Sequence, residues 1–175
     1  MIKVRTAGRS DLPGIFEIYD HHVLHGTATA QTVPLTDPQR QEWFDRHPPD
    51  LHPLLVAHDE AGAVAGWAGL APWSPREAYR RTAESSVYVA DLHHGRGVGL
   101  ALMRELIERA RRDTPVRVIV ARPGETNVAS IRLHEKLGFQ TVGVLPNCME
   151  KFDELLSVRI MLKELNDSRH DRYPL

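Results

Sequence analysis

Apolar residues recur along this chain with two periods, and each change of period marks an element. Met1-Ile2-Lys3-Val4-Arg5 alternates and predicts a strand over residues 2–6. Leu12, Ile15, Ile18 and Tyr19 fall three or four apart, the stripe of an amphipathic helix over roughly 11–24 capped by Ser10. Thr36-Asp37-Pro38-Gln39 has the form of a capping box with an early proline, opening a helix that ends before Pro48-Pro49. Leu54-Leu55-Val56-Ala57 and Val64-Ala65-Gly66-Trp67-Ala68 flank Glu60-Ala61-Gly62 as the arms of a hairpin. A strand follows over 82–90, then a helix over about 98–112 whose stripe is Leu102, Met103, Leu106, Ile107 and Ala110. Val116–Val120 reads as a short buried strand, Asn127–Gly138 as a helix with its cap and glycine stop, and 139–145 with 155–162 as a closing strand pair.

Helices and strands mixed in this order predict an α/β fold, a mixed sheet covered by helices on both faces. Residues 1–165 read as one domain and 166–175 as a frayed polar tail. A chain of 175 residues suffices for one sizeable core. Lysine and arginine number 22 against 23 acidic residues, so no basic field recruits nucleic acid or an anionic membrane. No apolar run approaches the roughly 20 residues of a membrane span, and the start lacks a signal-peptide core. Cys148 is the single cysteine, so no internal disulfide forms, and a reducing, cytoplasmic location is expected.

The chemistry begins where the strand at Val87-Tyr88-Val89 runs into His94-Gly95-Arg96-Gly97-Val98-Gly99 and the following helix. Glycines tolerate positive φ and let a ligand approach the backbone, and the first helical amides lack intrahelical acceptors at the positive end of the dipole. Strand, glycine turn and helix N-terminus make an anion site suited to phosphate. A dinucleotide fingerprint would need a third glycine at Leu100, and a P-loop would need Gly-Lys-Ser/Thr, which is absent. Thirty residues on, Asn127, Ser130 and His134 at i, i+3 and i+7 share one helical face.

These two patches resemble the pyrophosphate loop and the pantetheine-contacting helix of GNAT-superfamily N-acetyltransferases, with His94 where Gln or Arg is usual and His134 where a Tyr is usual. The resemblance implies the GNAT fold, with two central strands splayed around acetyl-CoA. It implies cofactor contacts at Val87, Tyr88, Val89, His94, Gly95, Arg96, Gly97, Val98, Gly99, Asn127 and Ser130. The stretch Pro72-Trp73-Ser74-Pro75-Arg76-Glu77-Ala78-Tyr79-Arg80-Arg81-Thr82-Ala83-Glu84-Ser85-Ser86-Val87-Tyr88-Val89 is similar to the phosphinothricin acetyltransferase subfamily. Its members acetylate the α-amino group of small acidic amino-acid analogues such as phosphinothricin, methionine sulfoximine and methionine sulfone, and are typically homodimers. The small-molecule amine is the expected partner, and no metal is expected.

An amine must be neutral to attack a thioester, so a carboxylate beside the reacting centre can remove its proton. Strand alternation puts Glu84, Ser86 and Tyr88 on one face, making Glu84 the candidate base, a role that the resemblance also implies. The competing reading of Glu84 is an ion pair with Arg80 or Arg81. His134 is a candidate acid for the departing thiolate. Trp73, Arg76, Tyr79, Ser85 and Ser86 are candidate acceptor contacts, Arg76 with Tyr79 meeting the acceptor's oxyanion because guanidinium pairs with one bidentately.

Two segments depart from the subfamily: Ala30 stands where an aromatic ring shapes the pocket, and Lys151-Phe152-Asp153-Glu154-Leu155-Leu156-Ser157 replaces a Lys-x-Gly-x-Trp-x-Asp pattern. They leave open an acetyltransferase for a protein N-terminus or another amine, and an acyl-CoA-binding module without turnover. His21, His22 and His25 lack a third ligand at useful spacing for a metal.

Overall fold

The computed structural model describes residues 2–165, so the predicted tail at 166–175 lies outside the described residues. Strand β1 spans Lys3–Thr6, and a 3-10 turn over Arg9–Asp11 leads into α1, Leu12–His25. Helix α2 is Asp37–Asp45, β2 Leu54–His58, β3 Val64–Pro72 and β4 Thr82–Val89. Helix α3 is Val98–Asp113, β5 Val118–Ala121, α4 Val128–Lys136, β6 Gln140–Lys151 and β7 Glu154–Glu164.

Local chemistry explains most of these boundaries. Thr36 and Gln39 form the expected capping box, the Thr36 N–H donating to Gln39 Oε1 at 2.9 Å. At α1 the expectation of a Ser10 cap is corrected. Ser10 lies inside the 3-10 turn, and Asp11 stands at the cap, its buried carboxylate accepting from the Gly8 N–H and from Arg5. Strands β6 and β7 run longer than the alternation suggested. Pro146 reads as a strand stop, yet the pair absorbs it in a bulge between Leu145 and Met149, with Asn147 at φ 48°. Phe152 and Asp153, both at positive φ, make the two-residue turn that joins β6 to β7.

The seven strands lie in the order β1-β2-β3-β4-β5-β7-β6. Neighbours are antiparallel except β4 and β5, which run parallel. Helices α3 and α4 cover one face: Leu102, Met103, Leu106, Ile107, Ala110 and Ile131 pack with Leu55, Leu70 and Ile119. Helix α1, with α2 behind it, covers the other through Leu12, Ile15, Phe16 and Ile18 against Leu54, Val56 and Trp67. Each large aliphatic side chain so buried contributes about 1.5–3 kcal/mol relative to exposure.

The strand register holds the feature that matters for function. Strand β3 stays paired with β4 from Pro72↔Ala83 to Gly66↔Val89. Strand β5 pairs only with Thr82, Ala83 and Glu84. Past Glu84 the two central strands part, and the sheet opens as a wedge.

Candidate active site

The wedge continues into a cavity of about 1020 Å³ between β4, the start of α3 and helix α4. At its mouth Gly95 and Gly97 adopt φ of +72° and +79°. No heavy atom lies within 4 Å of where a Cβ would stand at either, so this backbone faces open space, and a side chain there would be strained and would enter that space. Gly97 caps α3, and Val98 is buried beneath it. At Gly99 an added Cβ would make ordinary contacts with Leu133, Val89 and Val87 at 3.4–3.9 Å, which shows how α3 packs on β4 and α4 there. The His94 ring donates from Nε2 to the Val89 carbonyl at 2.9 Å, tying the turn back to its own strand. Arg96 is exposed and is not part of the cavity wall. Open amides at the N-terminus of a 16-residue helix suit a pyrophosphate.

Val87, Tyr88 and Val89 form one wall, and Asn127, Ser130 and His134 on α4 form the opposite one. Asn127 Oδ1 accepts the Ser130 N–H at 3.0 Å, the expected cap. His134 is buried. Its Nδ1 lies 2.8 Å from the Ser130 carbonyl, which can only accept, so Nδ1 carries the proton. Nε2 is then a bare lone pair, and among the described residues it has no partner. Burial lowers the pKa of His134, favouring this neutral form. In this neutral form Nε2 can accept a proton, and it can give one only after receiving it.

Glu84 faces the cavity at the point where β4 leaves β5. It is ion-paired, but its partner is Arg122, which the sequence reading did not identify. Arg122 Nε and Nη2 each donate to one Glu84 oxygen at 2.7 Å. The guanidinium also stacks over the Trp73 ring, 5.5 Å from its centroid, so Trp73 meets the site through Arg122. Ser85 and Ser86 both line the cavity beside Glu84, and the Ser85 hydroxyl donates to the Val120 carbonyl at 3.3 Å, a side-chain tie one residue past the last paired position. Arg76 and Tyr79 are exposed on the 73–81 loop and are not brought to the cavity wall. Two other arginines, Arg122 and Arg132, line the cavity, and Arg122 is the one bonded to Glu84.

Residues 27–31 also line the cavity, Ala30 among them. Three side chains fix this loop. The Tyr19 and Thr29 hydroxyls lie 2.9 Å apart, the Tyr88 hydroxyl donates to the Ala28 carbonyl at 3.2 Å, and Lys151 Nζ donates to the Thr29 and His22 carbonyls at 3.0 and 3.1 Å. Lys151 is 3% exposed, and burial lowers its pKa. Sequence reasoning missed Arg122 and these ties. A usable signal for Arg122 existed, because it directly follows the carboxyl end of a central strand, where open α/β sheets bind ligands. Among the described residues no three His, Cys, Asp or Glu side chains are grouped as metal ligands.

A splayed mixed sheet with an open glycine turn at the mouth of its wedge defines a class of acyl-transfer enzyme, and comparison with known proteins agrees. Residues 15–139 match the acetyltransferase (GNAT) family. The chain is 42% identical over 166 residues to an L-methionine sulfoximine/L-methionine sulfone acetyltransferase of Pseudomonas aeruginosa, covering 95% of this chain and 96% of that one. It superposes on a GNAT superfamily phosphinothricin acetyltransferase from Sinorhizobium meliloti in complex with acetyl-CoA, with a TM-score of 0.88 and 33% identity over 94% of this chain and 88% of that one. A ribosomal-protein-alanine N-acetyltransferase from Brucella melitensis gives a TM-score of 0.87 and 37% identity over 93% of this chain and 99% of that one. The chain belongs to the GNAT family of acetyltransferases. It is an acetyl-CoA-dependent N-acetyltransferase.

Proposed function

We propose that the protein acetylates the α-amino group of a small amino acid or amino-acid analogue of the methionine sulfone, methionine sulfoximine or phosphinothricin type. The observation that carries this reading is the Glu84–Arg122 pair on the cavity wall, a carboxylate and a guanidinium side by side. The near full-length likeness to the P. aeruginosa enzyme supports it.

Bound acetyl-CoA supplies a thioester carbonyl that a neutral amine attacks, with a thiolate leaving. The backbone of 94–99 and the start of α3 hold the pyrophosphate, and Asn127 and Ser130 face the pantetheine arm across from Val87–Val89. Glu84 takes one proton from the acceptor's ammonium. As the C–N bond forms, the nitrogen sheds a second proton; His134 receives it at its bare Nε2 and returns it to the leaving sulfur. An amide on β4 near Val89 meets the developing oxyanion.

Absence of a ring at Ala30 widens the acceptor end. A homodimer fits the apolar residues exposed on the outer β6–β7 hairpin, among them Val142, Val144, Leu145 and Leu155. No helix among the described residues is long and apolar enough to cross a membrane, and the proposed acetyl-CoA chemistry together with a lone cysteine fits the cytoplasm.

The test is turnover of acetyl-CoA against methionine sulfone, phosphinothricin and a short peptide with an N-terminal alanine. The amino-acid acceptors should be acetylated with the higher kcat/KM. Preference for the peptide would move the protein toward the activity named for the B. melitensis relative. Tight acetyl-CoA binding with no turnover on any of the three would overturn the amino-acid reading in favour of another amine.

A further inference from the structure

We propose that Arg122 receives the acceptor's α-carboxylate, and that the acceptor binds by exchanging its own two charges with the Glu84–Arg122 ion pair. This rests on the amino-acid reading above. At neutral pH an α-amino acid is a zwitterion, a carboxylate next to an ammonium. The pair on the cavity wall is its mirror in charge, a carboxylate next to a guanidinium, each bonded to the other at 2.7 Å through two contacts. The guanidinium fork matches a second carboxylate as well as it matches Glu84. When the acceptor's carboxylate takes Arg122, both Glu84 oxygens are released to the acceptor's ammonium, so the base is set free only by an acceptor that carries an anion.

Three observations favour this over a purely structural ion pair. Arg122 is 48% exposed, and exposed pairs add little to stability. Both partners line the cavity. The guanidinium is aimed from both sides, by the Trp73 ring beside it and by the main chain after it, where the Arg159 N–H holds the Pro123 carbonyl at 2.9 Å. A decarboxylated amine brings only an ammonium. It would meet Glu84 still clamped and a guanidinium of its own sign, and such like-charge placement works against binding.

The experiment compares kcat/KM for methionine sulfone and for its decarboxylated amine in the wild type, Arg122→Gln and Arg122→Lys, with acetyl-CoA binding checked in each. The wild type should prefer the amino acid by about 10²-fold or more. In Arg122→Gln that ratio should collapse to within about threefold, through a raised KM for methionine sulfone. Arg122→Lys, which keeps the charge but loses the fork, should fall between, and it carries the test should the Gln variant not fold. An unchanged ratio in either variant overturns the assignment. So does an equal loss on both acceptors through kcat, which would mean that Arg122 only props Glu84. Wild-type enzyme inactive on both acceptors refutes the amino-acid reading, and this proposal with it.

Discussion

Glu84 is placed by two facts of different range. Alternation along β4 turns it to the same face as Ser86 and Tyr88, while the three-residue parallel pairing with β5 sets it opposite Val120, two residues before Arg122. The first fact is local and could be read from the order of residues. The second joins positions 38 apart in the chain, so Arg122 could not be assigned from spacing alone. The tautomer of His134 was hidden for the same kind of reason, since it depends on which carbonyl the folded helix offers to Nδ1. Replacing Glu84 by Gln keeps the shape but removes the proton acceptor. The maximal rate should fall by about 10²–10⁴ with acetyl-CoA affinity retained, and residual activity should climb with pH as more acceptor arrives already neutral. Steady-state rates between pH 6 and 9 check this; near-normal turnover at pH 7 would leave Glu84 a structural carboxylate.

At the scale of elements, the glycine turn and α3 act as one unit. The turn holds its shape through two left-handed glycines, and the helix is pinned beneath by Val98, Leu102 and Leu106. Gly97→Val therefore separates folding from binding. A β-branched residue at φ +79° stores strain of about 1–3 kcal/mol, which a helix so well anchored should tolerate, while its side chain enters the space assigned to the pyrophosphate. Calorimetric titration should show acetyl-CoA binding abolished in a protein that still unfolds cooperatively; unchanged affinity would move the phosphate site elsewhere. This unit was legible because periodicity, turn chemistry and capping agree there. Strands β6 and β7 were legible only in part, since Pro146 reads as a stop until a partner strand shows the bulge that admits it. Ser10 misled for a comparable reason: it is a good cap, but a carboxylate one residue on, with Arg5 and the Gly8 N–H to bind, outcompetes it.

For the molecule as a whole, burial of histidine sets the response to acid. His22, His47 and His134 are all lowered from the ordinary value of 6.5, chiefly by desolvation. The unfolded chain then binds protons that the folded chain resists, so stability is full above about pH 6.5 and is lost as pH falls through the lower folded values. Asp11 adds loss in the same direction further down. Burial would raise its pKa, but the Arg5 guanidinium and the Gly8 N–H outweigh that and hold it below the carboxylate range. Scanning calorimetry should give a Tm several degrees lower at pH 5.5 than at 7.5. A flat or rising profile would contradict the neutral assignment of these rings. The wedge itself is the part of the architecture that no period of apolar residues announces, because the positions past Glu84 alternate the same way whether or not a neighbour lies beside them.

Lys151 has a meaning in time as well as in space. Its bonds to the carbonyls of His22 and Thr29 span 129 and 122 residues, so the wall they fix joins the start of the chain to its end. A growing chain displays α1 and the 27–31 loop long before the residue that fastens them has been made. Local helices and the β2–β3 hairpin can form meanwhile, but contacts of such separation come only after the intervening strands have docked. The 27–31 wall of the acceptor chamber is therefore fastened only after β6 has been synthesised, and a chain cut short before Lys151 lacks the tie that fixes it.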